Sequence, residues 1–127
     1  MEIAVELVED ALEHLWDYNR IGAHPLADVL LKPRGRHTRL SLVQRGAALN
    51  ERLVAAIEQM KVRHGNPGKS RERRYYPILF GCYIEGLPNR EVARTLNVSE
   101  RTFYRERLRA LASLRRLLVD GTGRVIG

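Results

Sequence analysis

The sequence has few of the residues that support catalysis, metal binding or disulfide bonding. Cys82 is its only cysteine in 127 residues, which excludes an intramolecular disulfide and favours a reducing compartment such as the cytoplasm. The four histidines, His14, His24, His37 and His64, are scattered without the spacing of metal ligands or of a catalytic triad. We therefore predict that the chain is not an enzyme and uses no metal or cofactor.

Long apolar runs are also missing. No run approaches the roughly 20 residues that a helix needs to cross a bilayer, and Met1 is followed by Glu2 rather than by the basic start of a signal peptide. Aromatic residues make up only 6% of the chain, but hydrophobic residues make up 44%, which is enough for a core. This length and composition predict one compact domain or two very small ones, with no membrane contact.

A glycine-rich stretch near the middle of the chain does not predict a nucleotide site. Residues 68–70, Gly-Lys-Ser, end like a phosphate-binding loop, but Arg63 stands where that loop requires its first glycine. Residues 64–74 are instead predicted to be a linker, whose basic residues either contact phosphate groups or remain in solvent. These residues are Lys69, Arg71, Arg73 and Arg74.

Positive charge is concentrated in the second half of the chain. Residues 1–62 carry 8 basic and 9 acidic residues, a net charge of −1, whereas residues 63–127 carry 14 basic and 6 acidic residues, a net charge of +8. Such a basic half is typical of a protein that binds a polyanion, although a solvated basic surface without a partner has the same composition. Charge alone leaves both readings open, and affinity for a polyanion is expected in this half.

The first half of the chain is predicted to be helical. Apolar residues share one face of a helix over residues 3–18, and acidic residues share the opposite face, which is either solvated or docked against a basic patch. A longer helix is predicted over residues 40–63, in which Gly46 costs about 1 kcal/mol relative to alanine. The apolar set of the first helix is Val5, Val8, Leu12, Leu15 and Trp16.

Two helices joined by a tight turn are predicted for residues 87–111, LPNREVARTLNVSERTFYRERLRAL. In the first helix, Val92 and Ala93 fall on the inner side, and Ala93 is small where a second helix would cross closely. Asn97 tolerates the left-handed conformation that such a turn requires. Ser99 is a good N-cap for the second helix.

The second helix of this motif has a basic outer side. Phe103 faces inward, while the outer residues are spaced so that successive turns present basic or hydrogen-bonding groups in one direction. A helix-turn-helix with a basic second helix is typical of DNA-binding proteins. The outer residues are Arg101, Tyr104, Arg105 and Arg109.

A further helix is predicted to brace the motif from its N-terminal side. It begins near Tyr76, because Pro77 fits the first turn of a helix, and it ends at Gly86, a natural C-cap. The alternative is a kinked helix that begins at Arg73. After the motif, an apolar stripe continues along the second helix and must pack on the N-terminal helices or on a second subunit. This stripe comprises Ala110, Leu111, Leu114, Leu117 and Leu118.

Residues 74–118 resemble region four of the sigma-seventy family and the C-terminal domains of LuxR-type response regulators. The resemblance is carried by RRYYPILFGCYIEGLPNREVARTLNVSERTFYRERLRAL, which contains the form EGL-x-x-x-E-[VI]-A-x-x-L-x-[VI]-S-x-x-T. It more closely resembles sigma-like modules of phage late-gene regulators and modules N-terminal to nucleotide-binding and repeat domains in bacterial regulators. Together with the helical patterns of the first half, the resemblance predicts an all-α fold in which a helical N-terminal part packs with a sigma-region-four-like helix-turn-helix domain.

One position departs from the pattern of these families. Glu106 stands where they usually have an apolar residue. This departure predicts a slight rotation of the second helix, with Arg107 or Leu108 taking the inner place.

We therefore expect a sequence-specific regulator of transcription that binds double-stranded DNA in the cytoplasm of a bacterium or of a phage host. Residues 1–64 are predicted to form a packing or dimerisation part, residues 65–120 the DNA-binding part and residues 121–127 a flexible tail. The alternative is a protein-interaction module that docks on RNA polymerase or on an adjoining domain of a larger regulator, and a homodimer is a further expected assembly. The predicted DNA-binding residues are Asn89, Arg90, Ser99, Arg101, Thr102, Tyr104, Arg105 and Arg109.

Overall fold

A computed structural model describes residues 3–31, 40–63 and 72–123. Within these ranges all regular structure is helical, which confirms the all-α prediction. The α-helices are α1 Val5–Glu13, α2 Tyr18–Gly22, α3 Pro25–Leu30, α4 Leu42–Arg63, α5 Tyr75–Leu79, α6 Asn89–Thr95 and α7 Glu100–Gly123. A 3-10 turn, Glu72–Arg74, precedes α5, and a π-helical turn, Phe80–Ile84, follows it.

Two of the sequence predictions fall outside the described residues. They concern most of the linker, including the Gly-Lys-Ser stretch at residues 68–70, and residues 124–127 of the predicted tail. Within the described part, no helix has the length and the hydropathy that a membrane-spanning segment needs.

The prediction of a single helix over residues 3–18 is wrong, because the helix is interrupted and two helices form. α1 ends at Glu13, and a new helix begins after Asp17. The carboxylate of Asp17 accepts a hydrogen bond of 3.3 Å from the N–H of Arg20, which makes Asp17 the N-cap of α2. Side-chain capping by an aspartate inside an apolar pattern therefore overrode the helical periodicity.

This break changes the position of Trp16. The indole is 57% exposed rather than packed on the apolar face as predicted, and its Nε1–H donates to the backbone oxygen of Tyr83 at 3.3 Å. Leu15 beside it is buried, and its carbonyl oxygen accepts a 3.0 Å hydrogen bond from the side chain of Asn50. The buried amide thus satisfies a carbonyl group that the break left without a helical partner.

α2 and α4 cross at two glycines. A Cβ atom on Gly46 would overlap the backbone of Tyr18, and one on Gly22 would overlap the backbone oxygen of Leu42. The absence of side chains at these two positions lets the helix backbones touch. Gly46 therefore has a packing role, in addition to the loss of helix propensity predicted from the sequence.

The N-terminus of α4 is fixed by reciprocal side-chain capping. The Ser41 hydroxyl accepts a hydrogen bond of 3.1 Å from the N–H of Gln44, and the Gln44 side chain accepts one of 2.9 Å from the N–H of Ser41. This capping box begins the helix at Leu42, two residues after the predicted start.

One large hydrophobic core joins the N-terminal helices to the C-terminal part of α7. Leu114 and Leu118 of α7 are buried with Leu12 of α1 and with Leu53 and Ile57 of α4. The apolar stripe of α7 therefore packs on the N-terminal helices of the same chain, which was one of the two predicted partners. Burial of several leucines in a shared core gives α7 a fixed direction relative to the rest of the fold.

Candidate nucleic-acid interface

The helix-turn-helix motif forms as predicted from its turn residues. Asn97 has a φ of 59°, the left-handed conformation, and the N–H of Val98 donates to the oxygen of Ala93 at 3.1 Å to close the end of α6. The Ser99 hydroxyl accepts a hydrogen bond of 3.1 Å from the N–H of Thr102, so Ser99 is the N-cap of α7. These local interactions set where α7 starts and which way it leaves the turn.

A second, smaller core holds the two helices of the motif together. Phe103 of α7 is fully buried against Val92 and Ala93 of α6 and against Ile78 of α5. Phe103 is therefore the inner residue that the spacing predicted. Because Phe103 points inward, the residues one and two positions away on either side of it are directed outward or sideways.

The bracing segment contains a π-helical turn that the sequence did not predict. α5 begins at Tyr75, within one residue of the predicted start, but its continuation is a π-helical turn in which the N–H of Glu85 donates to the oxygen of Phe80 at 2.9 Å. Gly86 ends the segment with a φ of +69°, as predicted for a C-cap glycine. Gly81 lies in the π turn, and a Cβ there would come within 3.1 Å of a Val92 methyl group, so α6 packs closely on this turn.

Glu106 keeps the inner position despite its charge, so the expected rotation of α7 is wrong. The residue is only 3% exposed, and its two carboxylate oxygens accept hydrogen bonds of 2.6 Å each from Nε and Nη2 of Arg74. Leu108, one of the two residues expected to turn inward, is instead 58% exposed. A bidentate arginine–carboxylate pair satisfies the buried charge and removes the need for rotation.

Arg74 consequently has a structural role rather than the predicted role of a phosphate contact or solvated hinge residue. Hydrogen bonding from Arg74 lowers the pKa of Glu106, against the effect of burial, which alone would raise it. The nearby positive charges of Arg105 and Arg109 lower the pKa of Glu106 further. The carboxylate is thus ionised at neutral pH and anchors α7 to the 3-10 turn before α5.

The outer side of α7 is open and basic. Arg101, Tyr104, Arg105 and Arg109 are all exposed, as their spacing predicted, and Thr102 is half-buried beside them. None of the four arginine and tyrosine side chains pairs with a carboxylate among the described residues. Their donor groups are therefore available to an external anion or hydrogen-bond acceptor.

Asn89, at the start of α6, meets Tyr104 across the motif. The Asn89 side-chain amide donates to the Tyr104 hydroxyl at 3.5 Å, and its oxygen accepts from the Cys82 thiol at 3.6 Å. Burial raises the pKa of Cys82 to about 11, so the thiol keeps its proton at neutral pH and remains a donor. The next residue, Arg90, is exposed to solvent. Two predicted site residues from different helices are thereby brought into contact.

The structure separates arginines that hold the fold together from arginines that face solvent. Several bind carboxylates or backbone oxygens within the chain: Arg45, Arg52, Arg74, Arg107 and Arg115. Those of α6 and α7 that are exposed and pair with no carboxylate in the described part are Arg90, Arg94, Arg101, Arg105, Arg109 and Arg116. Net charge alone could not make this distinction, because both groups contribute equally to it.

Arg107 links α1 to the outer side of α7. Its guanidinium lies 3.5 Å from a carboxylate oxygen of Glu9 and 5.6 Å from the centre of the Tyr104 ring. Glu9 belongs to the acidic face of α1, which was predicted to be either solvated or docked against a basic patch. The contact with Arg107 shows that Glu9, at least, meets a basic residue of the same chain. The signal for the interaction was the alternation of acidic and basic helix faces, but the sequence did not indicate which residues would meet.

The described residues contain no group of three or more His, Cys, Asp and Glu side chains placed to hold a metal ion. Comparisons with protein-family models, with curated proteins and with solved structures gave no match to this chain. The candidate interface is described by its geometry alone: a packed helix-turn-helix whose second helix presents an exposed basic side.

Proposed function

We propose that this chain is a sequence-specific regulator of transcription that binds double-stranded DNA with the first turns of α7 in the major groove. The observation that supports this function best is the exposed basic side of α7, which lies opposite the fully buried Phe103. The resemblance of residues 74–118 to region four of the sigma-seventy family points to the same function in a bacterial or phage-infected cytoplasm. A major groove about 12 Å wide accepts one α-helix of this kind.

The first two turns of α7 would face the base edges. Arg101, Tyr104 and Arg105 are exposed there, with Thr102 at their side and Ser99 at the start of the helix. An arginine fork matches the paired acceptors of guanine, and one good bidentate contact discriminates against other bases by about 1–3 kcal/mol. These residues would therefore carry most of the sequence preference.

The flanking residues would contact the DNA backbone. Arg90 lies on α6, which crosses the backbone in helix-turn-helix proteins, and Arg109 lies more than two turns into α7. Both side chains are exposed and pair with no carboxylate in the described ranges. Asn89 is positioned to orient the Tyr104 hydroxyl through their hydrogen bond.

The fold holds this surface rigidly, which favours discrimination between sequences. α7 takes part in both hydrophobic cores, through Phe103 near its start and through Leu114 and Leu118 near its end. Between these two cores, the ion pair with Arg74 holds α7 at Glu106. A helix held at three levels loses little backbone freedom on binding, so less of the contact free energy is spent on ordering the backbone.

The function is tested by measuring binding of the full chain to duplexes as salt is varied. After a preferred duplex is selected from a random pool, its dissociation constant and that of a scrambled duplex of equal length are compared. We expect a steep fall of log affinity with log salt for both and tighter binding to the selected duplex at every salt concentration. Equal affinities would mean that the chain does not read sequence.

The same experiment addresses the alternative function. If the chain bound no duplex even at low salt, its basic side would be better explained as a docking surface for RNA polymerase or for an adjoining domain. A direct binding measurement with purified RNA polymerase would then be the next test.

A further inference from the structure

The exposed side of α7 contains an apolar residue that the DNA-binding pattern did not include. Leu108 is 58% exposed, the most exposed of the large hydrophobic side chains in the described part of the chain. It follows Tyr104, itself 42% exposed, by four positions, so the two side chains are neighbours on the helix surface. Leu108 belongs to neither hydrophobic core.

The packing of α7 places position 108 on the outer side but does not require a leucine there. Its neighbours Phe103 and Glu106 occupy the inner positions and are buried, which leaves Leu108 on the outer side. A leucine there adds no core contact, and a solvent-facing helix position is equally well filled by a polar residue with high helix propensity, such as lysine or glutamate. The side chain therefore has no role within the fold that the described contacts reveal.

Leu108 completes a stripe with the spacing of a base-reading helix. Arg101, Tyr104, Arg105 and Leu108 stand at positions i, i+3, i+4 and i+7, and all are exposed. Homeodomains read bases from a helix with the same spacing. Seven residues of helix rise about 10 Å, which corresponds to about three base pairs of duplex DNA.

The residues around Leu108 indicate what kind of group it would contact. Arg105 lies three residues before it and Arg109 one residue after it, and both are exposed without carboxylate partners in the described residues, so the surroundings attract a polyanion. Within the major groove, the apolar group that a base presents is the C5 methyl group of thymine. An isobutyl side chain that enters this groove therefore finds its complement in a thymine methyl group.

We propose that Leu108 is a specificity-determining residue that contacts the C5 methyl group of a thymine in the bound duplex. This inference rests on the proposed DNA-binding function and adds a base preference to it. Leu108 lies one turn after Tyr104 and Arg105, so the thymine belongs at the edge of the sequence that these two residues read. Loss of the methyl group removes an apolar contact and leaves the base pairing of the duplex unchanged.

The test removes the methyl group and the leucine separately and together. Binding of the wild-type chain and of Leu108→Ala to the selected duplex is measured first. The measurement is then repeated with duplexes in which one thymine at a time is replaced by deoxyuridine. At one position the wild type should lose about fourfold in affinity, the amount expected for burial of one methyl group. Leu108→Ala should bind the thymine and deoxyuridine duplexes equally at that position.

Two variants serve as controls. Leu42→Ala removes another leucine, 47% exposed at the start of α4, and should keep the wild-type response to every deoxyuridine. Leu108→Met keeps an apolar side chain of similar volume and should retain the response at the one position. Thermal melting of each variant, followed by circular dichroism, checks that the fold is intact.

The outcomes separate this inference from the function on which it rests. If a preferred duplex is selected but Leu108→Ala responds to every deoxyuridine as the wild type does, the thymine contact is overturned and the function stands. If Leu108→Ala changes only sedimentation, the leucine serves a contact between protein chains, and the thymine contact is again overturned. If the pool yields no preferred duplex, the sequence-specific function itself is overturned, and this inference with it.

Discussion

The carboxylate of Glu106 accepts both hydrogen bonds of the Arg74 fork, each 2.6 Å long, beside the core of the helix-turn-helix. This pair joins the turn before α5 to the second turn of α7, at a position where the resembled families usually have an apolar residue. Glu106 is nearly inaccessible to solvent, whereas the Arg74 side chain is 32% exposed. Removal of Arg74 would therefore leave a buried carboxylate, whereas removal of Glu106 would leave a guanidinium that water can reach.

Arg74→Ala should be strongly destabilising, because it leaves the Glu106 carboxylate buried without a partner. Breaking a buried ion pair from one side costs about 3–5 kcal/mol, and we expect about 3 kcal/mol here since the partial exposure of Arg74 lets water reach the site. Urea denaturation of the full chain measures the change.

Two further variants make this prediction specific. Arg73→Ala removes an adjacent, exposed arginine and should change the free energy of unfolding by less than about 0.5 kcal/mol. The double variant Arg74→Ala/Glu106→Leu replaces the buried charge with the apolar residue typical of the resembled families and should recover most of the loss. A double variant as unstable as Arg74→Ala alone would contradict the assigned role of the pair.

The same ion pair predicts a pH dependence of stability with a definite sign. The hydrogen bonds from Arg74 lower the pKa of Glu106 in the folded protein below its value in the unfolded chain. The pair therefore contributes its full stability above the ordinary range of a glutamate pKa and loses it as pH falls from that range through the lowered folded pKa. Below that range, the free energy of unfolding should decrease more steeply for the wild type than for Arg74→Ala/Glu106→Leu. Parallel pH profiles of the two proteins would show that the pair does not titrate in this way.

The local features of the motif were predictable because neighbouring residues determine them. Asn97 and Gly86 are residues that tolerate a positive φ, and the Ser99 hydroxyl caps a backbone N–H three residues away. The inward position of Phe103 follows from helical spacing. The same holds for the all-α fold class, which follows from helical spacing of apolar residues along the chain.

Features that depend on distant residues were not predictable. Glu106 and Arg74 are 32 positions apart, and nothing in the sequence indicates that one neutralises the other. The contact of Glu9 with Arg107 likewise requires the direction of α1 against α7. The break after Glu13 is a different case, because capping by Asp17 competes locally with an equally local periodicity, and the sequence does not show which one prevails.

Gly46→Ala should destabilise the protein, although alanine is the better helix former. The substitution raises helix propensity by about 1 kcal/mol, but a Cβ atom at this position overlaps the backbone of Tyr18 where α2 crosses α4. Backbone atoms cannot move aside as a flexible side chain can, and overpacking costs about 1–3 kcal/mol or more. We expect the clash to prevail, with a net loss of stability in urea denaturation.

An exposed position of the same helix provides the control for Gly46→Ala. Ala55 lies on the solvent side of α4, so Ala55→Gly should cost about 1 kcal/mol through propensity alone. If Gly46→Ala stabilised the protein by the amount that Ala55→Gly destabilises it, the close crossing of α2 and α4 would be refuted.

We propose that Arg105 contacts base edges and that Arg90 contacts a phosphate group, so their substitution should have different effects on DNA binding. Arg105→Ala should weaken binding to the selected duplex far more than to a scrambled one, because it removes a contact of about 1–3 kcal/mol to a base edge. Arg90→Ala should weaken binding to both duplexes alike and reduce the salt slope by about one unit, since it removes one phosphate contact. Dissociation constants at several salt concentrations, for each variant on each duplex, give both quantities.

Arg101 and Arg109 extend this comparison along α7. Arg101 faces the same side as Arg105 one turn earlier, so Arg101→Ala should also lower the preference for the selected duplex. Arg109 lies beyond the second turn, and Arg109→Ala should resemble Arg90→Ala, with a reduced salt slope and an unchanged preference. All four arginines are exposed and pair with no carboxylate in the described ranges, so none of these substitutions removes an ion pair of the fold. If all four variants lost affinity equally on both duplexes, every arginine would be a phosphate contact, and the chain would bind DNA without regard to sequence.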